Sequence, residues 1–324
     1  MRNVTFAQAI REAMCEEMRR DSDVFIMGED IGVYGGCFGV TEGMLAEFGK
    51  ERVIDTPITE QAYTGAGLGA ALAGMRPVVE LMFSDFATVC FDLVANETSK
   101  MRFMTAGKKS LPVTFRAPCG CGTGAASQHS QSLEALFAHM PGIRIIMPST
   151  PNDAKGLLKA AIRCDDPVIF LEPKTLYKTE GLIPDKDYVL PIGKADIKKT
   201  GKDLTVITYG RTVDKAMTAA NELIQYGLYV EVIDLRTIKP FDIETCAESA
   251  ARTGRVLIAH EAGLYCGMGA EIASQLYERV FDKLKKPIKR LGAPDCPVPM
   301  SKPLEDHFCP QEKEIKKAML GLMK

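Results

Sequence analysis

Two side chains in this sequence combine a reactive group with a setting that could use it. Glu60 stands at the head of a small-residue run, Thr64-Gly-Ala-Gly-Leu-Gly-Ala-Ala-Leu-Ala-Gly74, just after Asp55-Thr-Pro-Ile-Thr59. His129 lies in Gln128-His-Ser-Gln-Ser132, reached through the glycine-rich stretch Pro118-Cys-Gly-Cys-Gly-Thr-Gly124. A carboxyl group ahead of an apolar helix can serve as a functional acid, or simply complement the positive end of the helix dipole. An imidazole that titrates near neutrality can move protons, or simply be a hydrogen-bonded loop residue. Taken singly, neither residue defines a reaction. The three glycines Gly65, Gly67 and Gly69 are the stronger oddity, because each costs about 0.5–1 kcal/mol against alanine inside a helix. They predict that backbone or ligand approaches this helix closely.

The elements that must hold these groups alternate. Thr5 can cap a helix whose apolar face is Phe6, Ile10, Met14 and Met18, and Val24 to Met27 reads as a buried strand. After a glycine-rich loop, a helix is expected from about Thr41 to Phe48, and Pro57 suits the turn that follows the extended Val53-Ile54-Asp55. Val78 to Phe83 reads as a strand, Asp85 to Met104 as one long helix, Pro112 to Phe115 as a strand and Leu133 to His139 as a helix. A strand at Ile143 to Met147, a helix over Ala154 to Ile162 and a strand at Val168 to Leu171 complete an α/β pattern with a mainly parallel sheet. The proline- and charge-rich stretch Glu172 to Gly193 reads as a linker. A second α/β pattern then opens with strands at Leu204 to Thr208, Tyr229 to Ile233, Val256 to Ala259 and Ile288 to Leu291. The expected domains are 1–185 and 186–324.

Composition narrows the function classes. Of the 324 residues 46% are hydrophobic and 25% charged, which is ordinary for globular domains. A net charge of -2 and the lack of a basic stripe argue against nucleic acid as a partner. No apolar run is long enough to span a membrane, and the amino-terminal residues lead straight into the first helix, so a cytoplasmic protein is expected. The ten cysteines are scattered with no Cys-x-x-Cys, which favours reduced thiols. Cys119-Gly-Cys121 with His129 and His139 fits no common zinc spacing. Gly267-Met-Gly269 is two-thirds of a dinucleotide fingerprint, too little to predict nicotinamide binding. A phosphate-loop motif is absent, and so is a Gly-Asp-Gly that would hold a magnesium diphosphate.

Five motifs in order change the reading: Gly28-Glu-Asp-Ile-Gly32, Asp55-Thr-Pro-Ile-Thr-Glu60, Gln128-His-Ser-Gln-Ser132, Pro148-Ser-Thr-Pro-Asn-Asp-Ala-Lys-Gly156 and Val232-Ile-Asp-Leu-Arg-Thr237. Together they resemble, end to end, the β subunit of the thiamine-diphosphate-dependent first component of 2-oxo acid dehydrogenase complexes. Glu80 to Asp85, Gly193 to Ile197, Pro297 to Ser301 and Leu304 to Asp306 look most like the acetoin dehydrogenase branch, with the pyruvate and branched-chain enzymes as the alternative. A catalytically idle docking scaffold is the rival from another class.

The resemblance implies an amino-terminal pyrimidine-binding domain and a transketolase-like carboxy-terminal domain. It implies that Glu60 hydrogen-bonds the aminopyrimidine ring of thiamine diphosphate, that Ile58, Met82 and Phe86 give an apolar surround favouring the neutral acid, and that Phe86 packs on the ring. His129 matches the histidine that handles the acyl intermediate and its transfer to a lipoyl arm. In some relatives potassium is held by backbone carbonyls at positions matching Val113, Ala161, Ile162, Cys164 and Asp166, with Cys164 here replacing a common aspartate. Magnesium and diphosphate are expected on a separate α subunit, in an α2β2 heterotetramer that serves a lipoyl-bearing acyltransferase core. The chain is then active only with its α subunit.

Overall fold

The computed structural model describes residues 1–324, which divide into two compact units: 1–119 with 136–192, and 120–135 with 193–324. The first unit holds β1 (Arg2–Thr5), α1 (Phe6–Arg20), β2 (Val24–Gly28), α2 (Met44–Phe48), β3 (Val53–Asp55), α3 (Glu60–Leu72), β4 (Arg76–Glu80), α4 (Ser99–Met104) and β5 (Thr114–Cys119). After α5 (Glu134–Ala138), which begins in the other unit, it continues with β6 (Arg144–Ile146), α6 (Pro151–Arg163), β7 (Val168–Pro173) and β8 (Glu180–Ile183).

Thr5 closes a capping box on α1: the Gln8 N–H donates to Thr5 Oγ1 at 3.1 Å and the Thr5 N–H to Gln8 Oε1 at 2.8 Å. The expected face of Phe6, Ile10, Met14 and Met18 is buried in the same core as Leu157, Leu158 and Ala161 of α6. Within this unit six parallel strands lie in the order β6-β7-β5-β4-β2-β3. Their central members are buried along their whole length, as expected of strands covered on both faces. Arg116 is the exception in that core. It is 1% exposed and clamped between Glu80 on β4 (2.6 Å) and Glu172 on β7 (2.7 and 2.9 Å).

Two expectations need correction here. The long helix from Asp85 to Met104 is three pieces: a 3-10 turn at Ser84–Thr88, a π-helical turn at Leu93–Thr98, and α4. The interruption carries no glycine or proline, so no local breaker marks it. The stretch read as linker from Glu172 contains β8, which pairs antiparallel with β1 and so is tied to the start of the chain.

The three glycines of α3 also differ in what they meet. A Cβ on Gly67 would lie 2.5 Å from Val79 Cγ2, so this glycine lets α3 sit down on β4. Gly65 would make only ordinary contact with Leu93 at 3.5 Å, and Gly69 meets nothing.

The second unit contains β9 (Asp196–Lys199), β10 (Leu204–Thr208), α7 (Thr212–Leu223), β11 (Val230–Asp234), β12 (Thr237–Lys239), α8 (Ile243–Thr253), β13 (Val256–Gly263), α9 (Met268–Val280), β14 (Lys289–Ala293), α10 (Lys302–Phe308) and α11 (Glu312–Met323). Its sheet runs β14-β13-β10-β11-β9, parallel except for the edge strand β9. Leu204, Val206, Val232 and Leu257 share a core with Ala216, Ala220, Ile315 and Met319 of α7 and α11. No helix in the chain is long and apolar enough to cross a membrane.

Candidate active site

Parallel strands bring chemistry to one end of a sheet, because every loop that leaves a carboxyl end starts from the same edge. Here β3, β2 and β4 are neighbours. Their exits supply, respectively, the turn to Glu60, the segment beginning Glu29, and Leu81 through Phe86. Gly28 permits the crowding: a Cβ there would lie 2.8 Å from the Glu80 carbonyl. Asp55 braces the same edge, accepting the Gly32 N–H at 2.6 Å.

Glu60 is the first residue of α3 and is buried, at 8% exposure. It is not a lone acid. Glu29, 4% exposed, is raised above the usual carboxylate range, first by burial and then by the charge of Glu60. Tyr63, one turn along α3, is also buried, and its hydroxyl is raised by burial and by Glu29. Glu29 Oε1 and the Tyr63 hydroxyl are both buried with no hydrogen-bond partner in the chain. Two orphaned polar atoms beside a buried carboxyl cost free energy unless a ligand answers them. The small spacing Glu60-x-x-Tyr63, on one helix face, was the available signal for Tyr63. Glu29 sat inside a motif already noted, without a role.

Phe86 and Met82 are half-buried, on the segment that leaves β4. The Phe86 ring meets Phe83 edge-to-face at 5.6 Å and 76°, and Phe83 meets Phe38 at 5.8 Å and 82°. Ile58 departs from expectation. It is 81% exposed, so within this chain it faces outward and does not enclose the acid.

His129 belongs to the second unit and is half-buried. Its loop is fastened there at several points. The Cys121 N–H donates to Glu261, the Gly122 and Gly124 N–H groups to Glu305 at 2.6 and 3.0 Å, and Ser127 Oγ to the Val298 carbonyl at 2.7 Å. Positive φ at Gly120, Gly122, Gly124 and Ala126 gives the loop its path. Just beyond it, Glu134 is fully buried and receives the Tyr209 hydroxyl at 2.8 Å, and burial pushes its carboxyl up to about 7.

The five potassium positions lie along neighbouring segments, and four of their carbonyls accept a hydrogen bond. Val113 O accepts the Val168 N–H, and Ala161 O accepts the Cys164 N–H. Ile162 O and Cys164 O both accept from Arg76 Nη1, at 3.1 and 3.2 Å. The Asp166 carboxylate pairs with Arg102 and Arg144, whose hydrogen bonds hold it below the usual range against the opposing effect of burial. A guanidinium therefore already donates to two of the five carbonyls, each of which keeps a second lone pair.

Comparison with known proteins places the chain in a family. Residues 2–180 match the family described as transketolase, pyrimidine binding domain, and residues 193–315 the transketolase C-terminal domain. The chain is 44% identical to the acetoin:2,6-dichlorophenolindophenol oxidoreductase subunit beta of Cupriavidus necator, covering 100% of this chain and 98% of that protein. It is 46% identical to the 2-oxoisovalerate dehydrogenase subunit beta of Bacillus subtilis, covering 98% of each. The chain belongs to the β subunits of the thiamine-diphosphate-dependent acetoin and 2-oxo acid dehydrogenases. The fold of this β subunit also matches a split gene transketolase, solved as an inactive beta4 tetramer, with a TM-score of 0.80 at 21% identity over 99% of this chain and 98% of that one.

Membership also explains a motif that pointed elsewhere. In this β subunit Gly267 heads α9, and the Gly269 N–H donates to His260 Nε2 at 3.3 Å. A Cβ at either position would lie 3.0 or 2.6 Å from the buried His260 ring. These glycines make room for a histidine, and nothing ties them to a dinucleotide.

Proposed function

We propose that this β subunit works with an α subunit to cleave acetoin or a 2-oxo acid and to pass the acyl group to lipoamide on an acyltransferase core. The observation that carries the reading is the buried Glu60 beside Glu29 Oε1 and the Tyr63 hydroxyl, two buried atoms with no hydrogen-bond partner inside the chain. These residues fit the pyrimidine half of thiamine diphosphate, a polar heterocycle with donors and acceptors on its rim. When bound, that cofactor supplies an electron sink for cleavage next to a carbonyl.

Glu60 would hold a ring nitrogen of the bound pyrimidine by a hydrogen bond, and Phe86 and Met82 would give it an apolar surround, to which Ile58 would add only in the assembled complex. His129 holds and returns the proton during acyl transfer, a task that an imidazole suits near neutral pH. The α subunit holds the diphosphate and its magnesium, since this chain lacks a motif for them. Ile58, with Ala62, Ala66 and Gly69 on α3, is exposed, and this apolar face is offered to the α subunit. The assembly is an α2β2 heterotetramer in the cytoplasm, with the second unit making β–β and core contacts. A potassium ion would take the carbonyls of Val113, Ala161, Ile162, Cys164 and Asp166, sharing those of Ile162 and Cys164 with Arg76.

The test is reconstitution with an α subunit, thiamine diphosphate and magnesium, assaying dye reduction with acetoin, pyruvate and 2-oxoisovalerate in turn. Acetoin is expected to be turned over best. Glu60→Gln should lose at least about a hundredfold in rate, the scale of a positioned acid–base group. Equal rates for variant and wild type would reject a catalytic role and leave a docking scaffold.

A further inference from the structure

We propose that Cys121, Cys309 and Glu261, all within the second unit, form a binding site for a thiophilic divalent cation of the zinc class. The three come from distant stretches: the loop after β5, the residue that ends α10, and β13. Their two sulfurs and a carboxylate oxygen all lie within 4.8 Å of one another. A tetrahedral zinc ion, with Zn–S of about 2.3 Å and Zn–O of about 2.1 Å, needs ligand atoms about 3.5–3.8 Å apart. Closing the site therefore asks for shifts of about 1 Å or less. Both cysteines are buried, at 1% and 3% exposure.

The surroundings are built as an outer shell would be. Metal-binding carboxylates are themselves oriented by hydrogen bonds. The Glu261 carboxylate takes Arg211 Nε at 3.1 Å on one oxygen and the Cys121 N–H on the other. Arg211 Nη1 in turn donates to the Cys121 carbonyl at 2.6 Å, so one guanidinium fixes two of the three ligand residues. Gly120 has φ +83°, and a Cβ there would lie 2.5 Å from Glu261 Oε1, so only glycine lets the carboxylate approach the loop.

Charge also balances. Arg211 offsets Glu261, and Glu305 nearby is answered by the Gly122 and Gly124 N–H groups. A divalent ion is bound by thiolates, so its binding must release protons to solvent. The site would fasten the loop that bears His129 to the segment between α10 and α11. It is independent of the cofactor reading.

The experiment uses the full-length chain, reduced, stripped with a chelator and titrated with cobalt(II). A thiolate-to-cobalt charge-transfer band that saturates at one equivalent, with proton release, is the expected result. Cys309→Ser and Cys121→Ser should each abolish the band, and Cys246→Ser, in α8, should leave it intact. Because loss of Cys121 could disturb folding, Glu261→Gln provides a second variant, expected to weaken cobalt binding about tenfold or more. Zinc should raise the thermal midpoint of the wild type and not of Cys309→Ser. Absence of the band from the reduced wild type, or its persistence in Cys309→Ser, would overturn the proposal. So would a Cys121–Cys309 disulfide in the untreated chain that, once reduced, yields no band.

Discussion

Placing one methyl group on α3 separates two effects that normally travel together. Replacing a helical glycine by alanine gains about 1 kcal/mol from backbone entropy. At Gly67 the new Cβ would sit 2.5 Å from Val79 Cγ2, on a fully buried strand of the central sheet. Overpacking of that kind costs about 1–3 kcal/mol. Gly67→Ala should therefore lower stability by about 0–2 kcal/mol. Gly69 has the same helix around it and open space where its Cβ would go. Gly69→Ala should raise stability by about 0.5–1 kcal/mol. The gap between the two variants, about 1–3 kcal/mol, isolates the packing cost. Thermal unfolding of the β chain alone reads it as a separation of several degrees, at about 2–4 °C per kcal/mol for a unit of this size. Two variants that shift together by the same amount would refute the claim that Gly67 exists to seat α3 on β4.

Other outcomes follow from features of each unit. Glu134 is held protonated to about pH 7 in the folded chain, against an ordinary value of 4.5. Its contribution to stability is complete below pH 4.5 and is lost as pH rises to 7, on the order of 3 kcal/mol. His260, pushed down to about 4 by burial, has the opposite sign, with stability present above pH 6.5 and lost as pH falls through 4. Urea titrations should show Glu134→Gln more stable than wild type at pH 8 and unchanged at pH 4; parallel profiles would contradict this. Arg116→Met strands Glu80 and Glu172 without their partner and should cost about 3–5 kcal/mol. Adding Glu80→Gln and Glu172→Gln should recover most of that loss in the same denaturation assay. Ala62→Glu, on the exposed face of α3, should leave the β chain folded by circular dichroism while abolishing co-elution with the α subunit.

What the sequence revealed was set by how local each cause is. The α1 boundary was legible because Thr5 and Gln8 stand three apart and bond each other. Most of the parallel strands were legible because a short apolar core, such as Val24 to Met27 or Val168 to Leu171, stands between turns. β9, Asp-Ile-Lys-Lys, was missed, since an edge strand protected by charge does not look like a strand. The break within Asp85 to Met104 was missed because its apolar spacing runs on without glycine or proline, although Thr88-Val-Cys-Phe-Asp92 are weak helix formers. The Glu60 position was readable, its burial against Glu29 was not: thirty-one residues separate them, and only the adjacency of β2 and β3 joins them. Cys121 was weighed beside Cys119, His129 and His139 because they are near in sequence, whereas its neighbours in space are Cys309 and Glu261.

The guanidinium of Arg116 also works as a tumbler in a lock. Carboxylates on the strands to either side must both meet it, so β4, β5 and β7 can slide past one another only by pulling opposite charges apart. Glu80 is the last residue of β4, and Phe86 follows six positions later. The lock therefore sets the zero from which the position of the Phe86 ring is measured. A residue inserted between Glu80 and Phe86 would be felt in full at the ring, while one inserted before Arg76 would be absorbed in the turn.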